Sequence, residues 1–208
     1  YALPAGHTNV EVLADVEKLP LFFTSDITVG TTSMYADYIF PDLTWVERWE
    51  FQGSHPNIVN KVAPVRQPVV APVPETVTVY GNEVPISFET LLMGLAEKLG
   101  MKAFGKNALG EGKDLSRPDD YYVRAVANIA AGDKPGAEVP DADARELEIF
   151  ARSRRHLPAS VFDAERWRAL VGDALWPKVV HVLNRGGRFE EHAKGFDGDR
   201  LKHAYGAL

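Results

Sequence analysis

The chain of 208 residues contains no cysteine, is 45% hydrophobic and 25% charged, and has a formal net charge of -6. This is an ordinary globular composition, and the acidic balance, with no basic stripe interleaved with aromatics, excludes a nucleic-acid surface. Zero cysteines exclude disulfides, cysteine-held zinc and any iron–sulfur cluster ligated from within these residues, and no run approaches the roughly 18 apolar residues of a membrane span.

In chain order, the apolar run 19–23 reads as a short buried strand that exits into Thr24, Ser25 and Asp26. A second run, 38–40, is closed by Pro41 and Asp42, with a short helix expected over 32–36 between them. Two strands that end in polar residues suggest one edge of an α/β sheet, where open sheets bind ligands. Over 51–84 the prolines 56, 64, 68, 72 and 74 predict an extended arm with no interior sheet or helix. Ser87 then N-caps a helix with Glu89 in its first turn; Phe88, Leu91, Leu92, Leu95, Ala96 and Leu99 form its apolar stripe, and Gly100 stops it.

Ser116 and Pro118 open a second helix that runs to Gly132. A third is expected over 141–156, acidic early and basic late, and a fourth from Asp163 until Trp176-Pro177 breaks it. Val179 to Leu183 reads as a single strand, and 184–187 as a turn whose glycines let a backbone come close to something. The domain reading is therefore an α/β segment over 1–50, a Pro-rich arm over 51–84, and a helical region over 85–208 ending in a strand and a Gly-Gly turn.

Several residues have two readings from their surroundings. Ser25 and Asp26 stand at a strand end, where a carboxylate accepts two hydrogen bonds from a guanine edge and a hydroxyl bonds ribose or phosphate; equally, they serve as a turn cap. Arg48 suits a pyrophosphate, or else pairs with Glu47 or Glu50. Asp37 and Thr31 or Thr32 read as pins for the loop before the second strand. His55 faces an anionic substrate or is bonded to backbone. Residues 184–188 cradle an anion or position a turn; they lack the Lys-Ser/Thr and the following helix of a P-loop. The six histidines show no metal-ligand spacing.

Residues 23–50, with Asp26, Thr31 or Thr32, Ala36-Asp37, Pro41 and Glu47 in order, resemble the later half of the third domain of catalytic subunits in the molybdopterin oxidoreductase (DMSO reductase) superfamily. Residues 48–56, 65–72 and 182–189 are similar to the branch containing tetrathionate reductase, and more distantly to arsenate and to polysulfide or thiosulfate reductases. The resemblance covers most of the chain. It implies an incomplete Rossmann-like molybdopterin-dinucleotide-binding segment, followed by the arm and a mostly helical region. Ser25, Asp26 and Arg48 are the implied cofactor contacts, and no catalytic or metal-ligating residue is expected.

The intact subunit so implied holds a bis-molybdopterin guanine dinucleotide molybdenum centre and an iron–sulfur cluster whose ligands are not in this chain. It reduces a small sulfur oxyanion by two electrons, cleaving an S–S bond. Its implied partners are the remainder of the same polypeptide and, on the periplasmic side, a membrane anchor subunit together with an iron–sulfur electron-transfer subunit. Because the chain opens at Tyr1 inside a domain-like pattern and has no cysteine, a piece of a longer subunit, inactive alone, is expected. The rival reading is a non-catalytic module whose arm and helices dock another protein.

Overall fold

The computed structural model describes residues 7–51, 62–72, 75–132 and 138–202. The stretch 53–57, with His55, lies outside the described residues, as do Pro56 and Pro74. A first helix, α1 (His7–Leu13), precedes the parallel pair β1 (Phe23–Asp26) and β2 (Tyr38–Pro41), in which Phe23 faces Tyr38 and Asp26 faces Pro41. Helix α1 has no counterpart among the predicted elements. The short helix between the strands is a single 3-10 turn, Ser33–Tyr35.

The reading that prolines keep residues 51–84 out of sheet interiors is corrected. Strand β4 (Val62–Arg66) contains Pro64, yet it is the middle strand of a three-stranded antiparallel sheet. Its neighbours are β3 (Glu50–Phe51) and β7 (Gly187–Phe189). Pro64 has no N–H to give the ladder, and the next amide, Val65, donates to the Gly186 carbonyl at 2.9 Å. Gly187, at φ 139°, is the close approach expected of the Gly-Gly turn: a Cβ there would stand 2.5 Å from the Ala63 carbonyl oxygen.

Farther along, β5 (Thr76–Val79) and β6 (Asn82–Pro85) form a hairpin. Its two-residue loop, Tyr80-Gly81, has φ 46° and 74°, the doubly positive geometry that suits the twist of a hairpin. The arm is also tied to the helices. The Gln67 side chain donates to the Leu183 carbonyl at 3.1 Å and accepts from Arg154 Nε at 3.0 Å.

Helix α2 (Phe88–Lys98) starts where expected, with Ser87 and Thr90 in a reciprocal capping box, and Gly100 follows at φ 64°. Its packing face differs from the reading. Met93, outside the expected stripe, is buried against Val79 and Val84 of the hairpin, and Ala96 is buried as expected, while Leu92 and Leu95 are exposed. The hairpin lies close enough for Gly94 to sit against Val79, with 3.6 Å between a built Cβ and Val79 Cγ1, so the face of smaller residues packs inward.

Helices α3 (Pro118–Ala131), α4 (Ala144–Arg154) and α5 (Ala164–Val171) follow the predicted order, with Asp143 and Asp163 as N-caps. The predicted strand at Val179 to Leu183 is instead helix α6 (Trp176–Asn184). Pro177 starts this helix rather than ending its predecessor, because the N–H it lacks would be unpaired in the first turn anyway. A short β-branched run is ambiguous between strand and helix by pattern alone, although Lys178, His181 and Arg185 line one polar side; Val179, Val180, Val182 and Leu183 are all buried. They join Val123, Val126, Phe150 and Trp167 in the main core, which also takes Trp49 from the first segment and Val65 from the second. A small hairpin, β8 (Phe196–Asp197) and β9 (Arg200–Leu201), follows.

Candidate functional site

The end of the parallel pair is built from backbone bonds outward. Asp37 pins the entry to β1: its amide donates to the Phe22 carbonyl at 2.7 Å, and its carboxylate accepts from the Phe22 amide at 2.8 Å. That is the loop-pinning role read for it. Thr31 and Thr32 do not share the role; Thr32 precedes the 3-10 turn without a side-chain cap bond. Ser33, 1% exposed, takes it instead. Its hydroxyl donates to Asp26 Oδ2 at 2.9 Å and accepts from the Gly30 amide at 2.6 Å.

Asp26 therefore closes the loop that follows β1. The Ser33 hydroxyl holds its carboxyl below the ordinary carboxylate value, against the opposing pull of burial, and the Thr28 amide assists at 3.4 Å. Beside it, Thr24 Oγ1 and Ser25 Oγ are buried without a hydrogen-bond partner. Buried hydroxyls are normally satisfied, so orphaned ones at a strand end are what a missing polar ligand would leave.

Arg48 is drawn to carboxylates other than its neighbours Glu47 and Glu50. Its two terminal nitrogens reach Asp42 Oδ2 at 2.9 Å and Glu89 Oε1 at 2.7 Å. The Tyr122 hydroxyl donates to the same Glu89 oxygen at 3.1 Å. Burial would lower the Arg48 pKa, but Glu89 and Asp42 outweigh it and the value lies above the ordinary one. Burial, and then Glu89, raises that of Tyr122, which stays protonated as a donor.

Asp42 joins the two halves. Its amide donates to the Asp26 carbonyl at 3.0 Å, and its carboxylate accepts from the Leu43 amide at 2.8 Å and from the first amide of α2, Phe88, at 3.1 Å. Asp42, Arg48, Glu89 and Tyr122 thus form a brace from the end of β2 through α2 to α3. The three expected site residues are linked through it: Ser25 and Asp26 form the strand end, and Arg48 holds that end onto the helices. Sequence reasoning missed Ser33, Asp42, Glu89 and Tyr122. Only Ser33 had a local signal, the row of hydroxyls in which it stands.

Elsewhere, Asp119 and Asp120 at the start of α3 are buried and paired to Arg166, and Trp167 Nε1 donates to Asp119 at 2.7 Å. This cluster is structural, holding α5 on α3. Among the described residues no group of three or more His, Asp or Glu is placed to hold a metal ion, and no helix is long and apolar enough to cross a membrane.

Comparison with known proteins adds what geometry alone does not. The chain is 50% identical over 202 residues to a selenate reductase subunit from Mesobacillus selenatarsenatis, covering 97% of this chain and 19% of that protein. It is 33% identical over 199 residues to a tetrathionate reductase subunit from Salmonella typhimurium, with 94% and 18% covered. The chain belongs to the molybdopterin oxidoreductase family. A tetrathionate reductase subunit from Archaeoglobus fulgidus is 28% identical over 215 residues, covering 95% of this chain and 18% of that protein. The chain thus spans less than a fifth of the length of the curated relatives it matches. No family model matches it, and no solved structure does.

Proposed function

We propose that this chain is the part of a molybdenum-dependent reductase catalytic subunit that presents one strand edge to a molybdopterin guanine dinucleotide. The observation that carries the reading is 50% identity along 97% of the chain to a selenate reductase subunit. The orphaned Thr24 and Ser25 hydroxyls at the end of β1 support it, since their unpaired donors and acceptors fit a ribose or phosphate. Ser25 and Asp26 are the proposed contacts. Arg48, whose terminal nitrogens are taken up by Asp42 and Glu89, is proposed to hold the edge in place rather than touch the nucleotide. The parallel β1–β2 pair, with ligand-facing residues at its C-terminal ends, is what a Rossmann-like segment would supply.

When bound, the molybdenum centre supplies the two-electron chemistry, and this chain's residues bind and orient its nucleotide tail. The relatives' names point to an oxyanion of selenium or sulfur as the substrate class. Selenate stands beside tetrathionate as a candidate because the 50% identical relative belongs to a selenate reductase. A periplasmic location, a membrane anchor subunit and an iron–sulfur electron-transfer subunit complete the proposal.

The test is to assay the complete, cofactor-loaded subunit with a reduced viologen dye against selenate, tetrathionate and arsenate in parallel, with molybdenum measured per folded protein. Turnover of selenate or tetrathionate with molybdenum bound is expected. Folded subunit with no molybdenum and no turnover of any of the three overturns the reading.

A further inference from the structure

Four of the six residues in the helix stripe expected to form a core are exposed. Phe88, Leu92, Leu95 and Leu99 stand 43%, 46%, 44% and 75% exposed along one side of α2 and its C-cap. Scattered exposed leucines are ordinary, but four large apolar side chains at helical spacing make a stripe, and a contiguous stripe marks a contact surface. Its direction is fixed. The Asp42 carboxylate holds the first amide of α2, Glu89 is paired to Arg48, and Met93 packs with Val79 and Val84 of the β5–β6 hairpin. The stripe therefore cannot turn inward without breaking a brace and a core.

Two observations select what covers it. A helix of 11 residues is roughly 17 Å long and about 10 Å wide, so its face falls well short of the roughly 800 Å² per partner that two associating copies bury. A tethered partner needs far less, because the tether keeps it at high effective concentration. The relatives in which this sequence recurs extend over more than four-fifths of their length beyond the matched part. We propose that the Phe88–Leu92–Leu95–Leu99 face of α2 is an internal docking surface, covered in the complete subunit by an apolar face of the remaining polypeptide. The proposal rests on the reading of the chain as part of a longer reductase subunit.

The test uses the absence of native cysteine from the 208 residues. Leu95→Cys is made in the 208-residue chain and in the complete cofactor-loaded subunit, and its maleimide labelling rate is read by mass spectrometry of the peptide that contains it. The peptide readout separates this thiol from any other. Labelling at the rate of a free thiol in the 208-residue chain and tenfold or more slower in the complete subunit is expected. Equal rates overturn the proposal. Slow, concentration-dependent labelling of the 208-residue chain also overturns it, since a second copy would then be the cover. A second probe on the same face, Leu99→Cys, just past the last helical residue, reports the same contrast if Leu95→Cys perturbs folding. Protection at residue 95 in a subunit that holds no molybdenum would leave docking standing and remove the reductase reading, so the two fail separately.

Discussion

The parallel strand pair and the helical body are built on opposite terms. The body, formed by α3, α5, α6 and the β3–β4–β7 sheet, surrounds fully buried residues such as Val123, Val126, Trp167 and Val180. The pair has two strands of four residues each, and Phe23, Tyr38 and Ile39 on it are exposed. Parallel strands are ordinarily covered on both faces, and two strands do not stabilise themselves in water. Here the pair is held at its end by ionic and backbone bonds through Asp42, so it is positioned rather than packed. Held this way, the strand end leaves the buried hydroxyls of Thr24 and Ser25 without a partner.

The contrast breaks most visibly in the body. Trp167 is 1% exposed and packs against Trp49 and Phe162 while its Nε1 bonds Asp119. Trp167→Ala should destabilise the whole chain by about 3–5 kcal/mol, read as a shift of the urea midpoint at constant slope. A loss below about 1 kcal/mol would mean that the body does not set the stability of the molecule.

A smaller and local effect is expected at the brace. Arg48→Met leaves the partly buried carboxylates of Asp42 and Glu89 without their shared partner, at a cost on the order of 1.5–3 kcal/mol. Hydrogen exchange should quicken at β1 and β2 and stay unchanged in α3 and α6. Uniform quickening across the chain would show that the pair and the body unfold as one unit.

Acid should separate the regions again. Burial, and then Arg185, holds His181 of α6 below its ordinary value of 6.5. A group whose folded pKa is depressed stabilises above its unfolded pKa, and that contribution fades as pH falls from about 6.5 through the folded value. Asp26 follows the same sign lower down, its share fading as pH falls below the ordinary 3.8. The body should therefore weaken before the Asp26–Ser33 loop loosens. His181→Gln should flatten the stability profile between about pH 7 and 5; an unchanged slope there would assign it to other groups.

What can be read in the sequence is what local chemistry writes. Ser87 and Gly100 bound α2, Asp143 and Asp163 cap α4 and α5, and the two short strands stand within a few residues of their predicted places. What cannot be read depends on distant partners. Arg48 meets Glu89 across 41 residues and Pro64 meets Gly187 across the sheet, and nothing near either residue announces the other. Helix α6 reads as a strand because its apolar, β-branched run is short, and its polar side is carried by Lys178, His181 and Arg185, three and four residues apart. The Tyr80-Gly81 hairpin turn is legible, flanked by alternating Thr-Val-Thr-Val, but the density of prolines over 51–84 masks it.

The smallest effect is expected where the sequence pointed to a core. A buried leucine at 92 would cost about 2–5 kcal/mol on truncation to alanine. At 46% exposure Leu92 faces away from Met93, Val79 and Val84, and the helix is held by those three and by its capping box. Leu92→Ala also replaces a good helix former with the best one, which offsets part of the lost apolar contact. The 208-residue chain should therefore change by less than about 0.5 kcal/mol in urea denaturation. Met93→Ala, one residue on and turned about 100° toward the hairpin, should lose about 2 kcal/mol or more. Equal losses at 92 and 93 would mean that α2 is buried on both sides within this chain, and the bare stripe would disappear with that result.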